Sequence, residues 1–174
     1  MPLSVAELGR LSSSQLEIEL RRCCGAEKWV AALSRRVRDA SPPRTVDDLL
    51  ASADRCFAEL EREDWLEAFG HHPRIGDRES LRRHFATTAD LASSEQAGSR
   101  SASDEELSEL ERLNRRYEEI FGYIFIVCAT GKSAAEMLAL LRARIENEPQ
   151  DEMEIAAREL RDISRLRLRG LTQP

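Results

Sequence analysis

Glycine and proline are scarce in this chain, 8 and 6 among 174 residues, and aromatics make up only 5%. Sandwiches and barrels need frequent turn residues and strands rich in β-branched and aromatic side chains, so this shortage argues against both. Lysine is nearly missing: Lys28 and Lys132 stand alone, and almost all the positive charge is arginine. Acidic residues outnumber basic ones 32 to 26, a net charge of −6, with a pI near 5.3. That balance disfavours non-specific attraction to phosphate backbones or anionic lipid, so neither a nucleic-acid nor a membrane partner is expected. The longest uninterrupted apolar run, Tyr123 to Ala129, falls far below the roughly 18 residues a membrane span needs. Met1-Pro2-Leu3-Ser4 lacks a basic region followed by an apolar core, and the C-terminal residues are no peroxisomal or ER address. A cytoplasmic location is expected.

Cysteine is also sparse. Cys23, Cys24, Cys56 and Cys128 include no Cys-x-x-Cys pair, and a chain this long needs no disulfide scaffold. The adjacent Cys23 and Cys24 leave two alternatives open: redox or metal chemistry, or small buried residues on a helix.

What is abundant is Leu, Ala, Glu and Arg, all good helix formers. Charged residues at 33% and hydrophobic ones at 41% describe a folded, soluble chain whose length suits one domain over 1–174. Helical periodicity places early helices at about 4–10, 14–24, 26–38 and 45–63, the last possible as far as Phe69 with Gly70 as its C-cap. His71-His72-Pro73-Arg74-Ile75-Gly76-Asp77 cannot be regular helix, because proline drives the preceding residue toward extended backbone. Short helices are expected near 78–85 and 90–96. Ser103 with Glu106 and Ser133 with Glu136 form capping boxes that open two later helices. The first ends at Gly122 and the second near Asn147, where Pro149 breaks it; a final helix spans about 151–168. Tyr123 to Cys128 has strand composition but no partner strand, so it is expected as a buried segment whose free backbone groups could face a ligand. The sum is an all-α bundle of about eight helices.

Three features could carry chemistry. In the final helix Ile155, Ala156, Leu160, Ile163 and Leu166 are expected to face the core, with Arg158, Arg161, Arg165 and Arg169 on the solvated side. Arg167 falls inside the apolar arc. A guanidinium there needs an anionic or hydrogen-bonding partner, either an internal carboxylate or an anionic ligand. Second, His71 and His72 share one irregular loop, where imidazole could exchange protons near neutral pH. Structural roles remain open for both, and so does metal binding with His84, although the zinc-helix spacing is lacking. Third, Leu91 and Glu95 are four apart, so the carboxylate of Ser93-Ser94-Glu95-Gln96 could turn inward. Together these features suggest a histidine, a carboxylate and an arginine gathered around a small acidic molecule.

The same residues carry a resemblance. His72-Pro73-Arg74-Ile75-Gly76, Glu95-Gln96-Ala97-Gly98, Leu113-Asn114-Arg115-Arg116-Tyr117 running into Phe121-Gly122-Tyr123-Ile124-Phe125, and Ile163-Ser164-Arg165-Leu166-Arg167-Leu168 stand in order. In this the chain resembles the OHCU decarboxylases, which act on 2-oxo-4-hydroxy-4-carboxy-5-ureidoimidazoline in urate breakdown and yield (S)-allantoin. The resemblance covers nearly the whole chain. It implies an all-helical homodimer with a small anionic urate-derived substrate, no metal and no organic cofactor. It makes His72 the catalytic acid–base and Glu95 its partner. Pro73, Ala92, Ser93, Ser94, Glu95, Gln96, Phe125, Ile126, Val127, Cys128, Ala129 and Arg167 then bind substrate. Ala92 stands where many members have serine, so a hydroxyl contact is expected to be missing or shifted to Ser93 or Ser94.

Two other classes compete. An Arg-rich last helix could dock an acidic partner or membrane surface, although Glu152, Glu154, Glu159 and Asp162 dilute its charge. A hydrolase of ureido or cyclic amide compounds could use a similar His/Glu pair, usually with a metal.

Overall fold

The computed structural model describes residues 3–72, 79–83, 85 and 102–172. Among them the chain is helical, with no strand. It divides into two compact units, one of Met1–His72 with Ala157–Pro174 and one of Pro73–Ala156.

The first unit contains α1 (Val5–Arg10), α2 (Ser13–Cys23), α3 (Glu27–Val37), α4 (Val46–Ala58) and α5 (Arg62–His71), plus the later turns of α8 (Pro149–Leu171). Local chemistry sets their starts. Ser4 with Glu7, Ser12 with Gln15 and Thr45 with Asp48 each form a reciprocal capping box. Hydrogen bonds with Thr45 hold the Asp48 carboxyl below its usual range. Such caps typically contribute about 1 kcal/mol each. The buried faces supply Leu8, Leu16, Leu20, Trp29, Leu33, Leu49, Phe69 and Leu160 to the core, and the indole of Trp29 donates to the Ala53 carbonyl at 3.1 Å. The Leu3 N–H donates to the Leu171 carbonyl at 2.9 Å, fastening the ends of this unit together.

The second unit contains α6 (Asp104–Phe121), α7 (Ala134–Ile145) and the first turns of α8; residues 79–83 are helical as well. The two later capping boxes form as expected, at Ser103/Glu106 and Ser133/Glu136. Gly122 closes α6 with φ 78°, a left-handed conformation that favours glycine, and its N–H donates to the Glu118 carbonyl at 2.9 Å. α6 and α7 pack together over Leu107, Leu110, Tyr117, Ile126 and Leu141.

Several boundaries differ from the sequence expectation. The helix expected over 45–63 ends at Ala58, because the Glu61 N–H is taken by the Asp64 carboxylate at 2.9 Å and opens a new helix there. Leu60 is buried in the connection, so apolar spacing continues across the break and hides it. Gly70 lies inside α5, and His72 is the C-cap. Pro149 begins α8 rather than merely ending α7; proline suits the first helical position because the N–H it lacks would be unpaired there. In α8 Leu166 is 48% exposed and Arg165 pairs with Asp54, so the arc is rotated from that expected. Leu160, Ser164 and Leu168 form its buried stripe. Glu152, grouped by sequence with the solvated charges, is 0% exposed. Among the described residues no helix is long and apolar enough to cross a membrane.

Candidate active site

In the first unit α5 delivers His72 to the start of an extended stretch. Its backbone angles, φ −76° and ψ 136°, are those the following proline favours, and its N–H closes the helix on the Phe69 carbonyl at 3.1 Å. The imidazole is half-buried. A close approach sets this helix end: a Cβ at Gly25 would stand 2.5 Å from the Cβ of His71. Only glycine allows the α2–α3 link to pass so near.

Arg167 reaches the same place from α8. Its Nη2 lies 3.5 Å from Nε2 of His72, and its Nη1 donates to the Arg22 carbonyl at 3.3 Å. Guanidinium has donors only, so a hydrogen bond across the first contact requires the lone pair on Nε2. The side chain is half-buried, and among the described residues no carboxylate lies within ion-pair distance of it. The internal-carboxylate alternative is therefore not met there.

Cys23 and Cys24 are buried, free thiols. Burial pushes the Cys23 thiol up to about 12 against the opposing pull of Arg167, and it also raises Cys24. Both thiols are buried, as the alternative of small buried residues expects. Among the described residues no three His, Cys, Asp or Glu side chains gather as a metal site. His84, Pro73 and the whole of Ala92, Ser93, Ser94, Glu95 and Gln96 lie outside the described residues.

In the second unit Phe125 to Ala129 is neither helix nor strand. Two cations grip its carbonyls. Arg144 Nη1 donates to the Ile126 carbonyl at 2.7 Å, and Lys132 Nζ donates to the Cys128 carbonyl at 2.6 Å. Arg144 is itself held by Glu152, with Nε and Nη2 at 2.8 and 2.5 Å from Oε1. Tyr117 donates its hydroxyl to the same oxygen, and Asn147 Nδ2 donates to Oε2 at 2.8 Å. The Phe125 ring lies 4.6 Å from the guanidinium carbon. Burial and the Glu152 bond push the Tyr117 phenol far up, so it stays a proton donor. Sequence reasoning missed this cluster. Its one hint was Tyr117, whose hydroxyl needs a partner once the ring is buried.

An all-helical chain that brings an imidazole and a guanidinium within 3.5 Å fits an enzyme of small polar molecules. A family model described as OHCU decarboxylase matches residues 9–169, and the chain belongs to that family. The "Uric acid degradation bifunctional protein TTL" of Arabidopsis thaliana is 39% identical over 158 residues, 89% of this chain. The chain spans only 47% of that relative's length. The "2-oxo-4-hydroxy-4-carboxy-5-ureidoimidazoline decarboxylase" of Haloferax volcanii is 26% identical, covering 95% of this chain and 94% of its own. A crystal structure of "OHCU decarboxylase in the presence of (S)-allantoin" superposes with TM-score 0.70 at 34% identity, over 88% of this chain and 96% of that one. A crystal structure of "(S)-allantoin synthase", at 19% identity and TM-score 0.71 over 98% of this chain and 54% of that one, shares the fold.

Proposed function

We propose that this chain, acting as one domain, decarboxylates 2-oxo-4-hydroxy-4-carboxy-5-ureidoimidazoline to (S)-allantoin in urate degradation, with His72 as acid–base assisted by Glu95. The observation that carries this reading is a half-buried Arg167 guanidinium with no carboxylate partner among the described residues, 3.5 Å from the imidazole of His72. Family membership supplies the substrate.

The substrate's carboxylate sits on a ring carbon next to a C=N bond. When the bond to the carboxylate breaks, carbon dioxide leaves and the electron pair enters the ring. The ring is thus its own electron sink, and the reaction needs no resident cofactor. The protein must orient the carboxylate, stabilise the charge developing on the ring and deliver a proton to one face. His72 moves the proton, with Glu95 orienting or charging it. Arg167 holds an anionic or carbonyl oxygen, a task suited to its planar fork. Backbone N–H groups of Phe125 to Ala129 stabilise the developing negative charge. Pro73 and Ala92 to Gln96 complete the binding residues. The enzyme works as a cytoplasmic homodimer, which light scattering on the purified protein would test.

The deciding experiment supplies freshly generated substrate from urate oxidation and hydrolysis, then follows carbon dioxide release and the circular dichroism of the allantoin formed. His72→Asn is expected to keep the fold and lose about 10²–10⁴-fold in turnover, the usual contribution of a general acid–base. Wild-type turnover in that variant would remove His72 from the role. Absence of carbon dioxide release by the wild-type protein would remove the decarboxylase reading.

A further inference from the structure

We propose that Arg144 and Lys132 are positioning residues that aim two particular backbone donors, the N–H groups of Val127 and Ala129, at acceptor oxygens that substrate and product share. The inference rests on the assignment of Phe125 to Ala129 to substrate binding made above. It names which amides act and what orients them.

The argument begins with the peptide bond. A trans peptide unit is planar, and its C=O points opposite to the N–H of the next residue. No peptide among the described residues is cis. Arg144 takes the Ile126 carbonyl at 2.7 Å, so the Val127 N–H in the same plane is turned away from Arg144. Lys132 takes the Cys128 carbonyl at 2.6 Å and turns the Ala129 N–H away in the same manner. Val127 and Ala129 are each 8% exposed, yet neither N–H has a hydrogen-bond partner among the described residues. Buried amides are nearly always paired. Two unpaired donors on buried residues, each locked by a cation on the far side of its peptide plane, are what a backbone site for ligand oxygens requires.

The two clamps differ in depth. Arg144 is held by Glu152, which Tyr117 and Asn147 hold in turn. This fixes the Val127 plane rigidly. Lys132 is half-buried and bonded back onto its own loop, where its N–H also donates to the Ala129 carbonyl at 3.1 Å. Lys132 can therefore be changed without opening the core.

The test pairs kinetics with amide NMR on ¹⁵N-labelled protein, using (S)-allantoin as the titrant. In wild type the Val127 and Ala129 amide resonances should be among those most displaced, and both should gain protection from hydrogen exchange. Lys132→Met should abolish the Ala129 response, keep that of Val127, and lower kcat about 10-fold or more with a smaller change in KM. Lys132→Arg should restore most of that loss. Arg144→Met should do the converse at Val127. If it fails to fold, Lys132→Met alone still decides the matter. Wild-type kinetics and an unchanged Ala129 response in folded Lys132→Met would overturn the proposal, as would wild-type amides that ignore allantoin while turnover proceeds. Amides that respond in a protein releasing no carbon dioxide would instead overturn the decarboxylase reading and leave this one standing.

Discussion

Arg144 in the second unit and Arg167 in the first are the same side chain, each on a helix that buries one face, and their surroundings differ in exposure and in counter-charge among the described residues. Arg144 is 6% exposed and meets a fully buried carboxylate, a carbonyl and an aromatic face. Arg167 is half-buried and meets a carbonyl and an imidazole. A guanidinium with a complete set of acceptors holds structure in place, whereas one without a counter-charge retains donors for a ligand. Burial of an arginine is thus ambiguous until its partners are counted.

The largest expected effect tests the structural half of this contrast. Arg144→Met leaves Glu152 as an uncompensated buried charge, and removal of one partner from such a pair costs about 3–5 kcal/mol. Urea unfolding should register that loss. Adding Glu152→Gln should recover part of it, because no charge then remains stranded.

Gly25→Ala comes next. The new Cβ meets the His71 Cβ at 2.5 Å, which displaces the end of α5, and overpacking of this kind costs about 1–3 kcal/mol. Because His72 follows directly, turnover should fall even below the unfolding temperature. Full activity with a lowered midpoint would show that the imidazole tolerates the displacement.

Arg167→Met sharpens the functional half. With no ion pair to lose among the described residues, its stability cost should stay under about 1 kcal/mol, a melting shift of roughly 2–4 °C at this chain length. Affinity for (S)-allantoin should fall much further, since hydrogen bonds to a charged group are worth about 1.5–3 kcal/mol. Calorimetric titration beside a melting curve separates the two quantities. A variant that melts early and still binds would return Arg167 to a structural role.

Near neutral pH the smallest effect is that of Cys23 beside Arg167, because it emerges only at alkaline pH. The Cys23 thiol moves from an ordinary 9.0 to about 12 because of burial, opposed by Arg167. A raised native value means its contribution to stability is fully present below about 9 and is lost as pH rises toward about 12. Cys23→Ala should flatten this alkaline decline in unfolding free energy.

Helices were largely legible in the residues because their signals are local. Ser103 with Glu106 and Ser133 with Glu136 announced α6 and α7, since a cap depends on neighbours three positions apart. The α4–α5 break was not legible: Leu60 keeps the apolar rhythm while Glu61 and Asp64 restart the helix. Among site residues, the anomaly of Arg167 was visible from periodicity, and its neighbour His72 from its irregular loop. The resemblance assigned Glu95 and Ala92 to Gln96, which lie outside the described residues.

Composition and spacing were enough to specify an all-helical chain, its main caps and the guanidinium misplaced in an apolar stripe, and the family followed from the resemblance of its motifs in order. All of these depend on short-range periodicity or on motifs in order. Folding was needed to bury Glu152, to hand it Arg144 and Tyr117, and to turn the Ile126 carbonyl toward that pair. Helical phase tells which way a side chain leaves its own axis. The acceptor it meets there comes from residues 18 or 35 positions away, brought close by packing that no local pattern encodes.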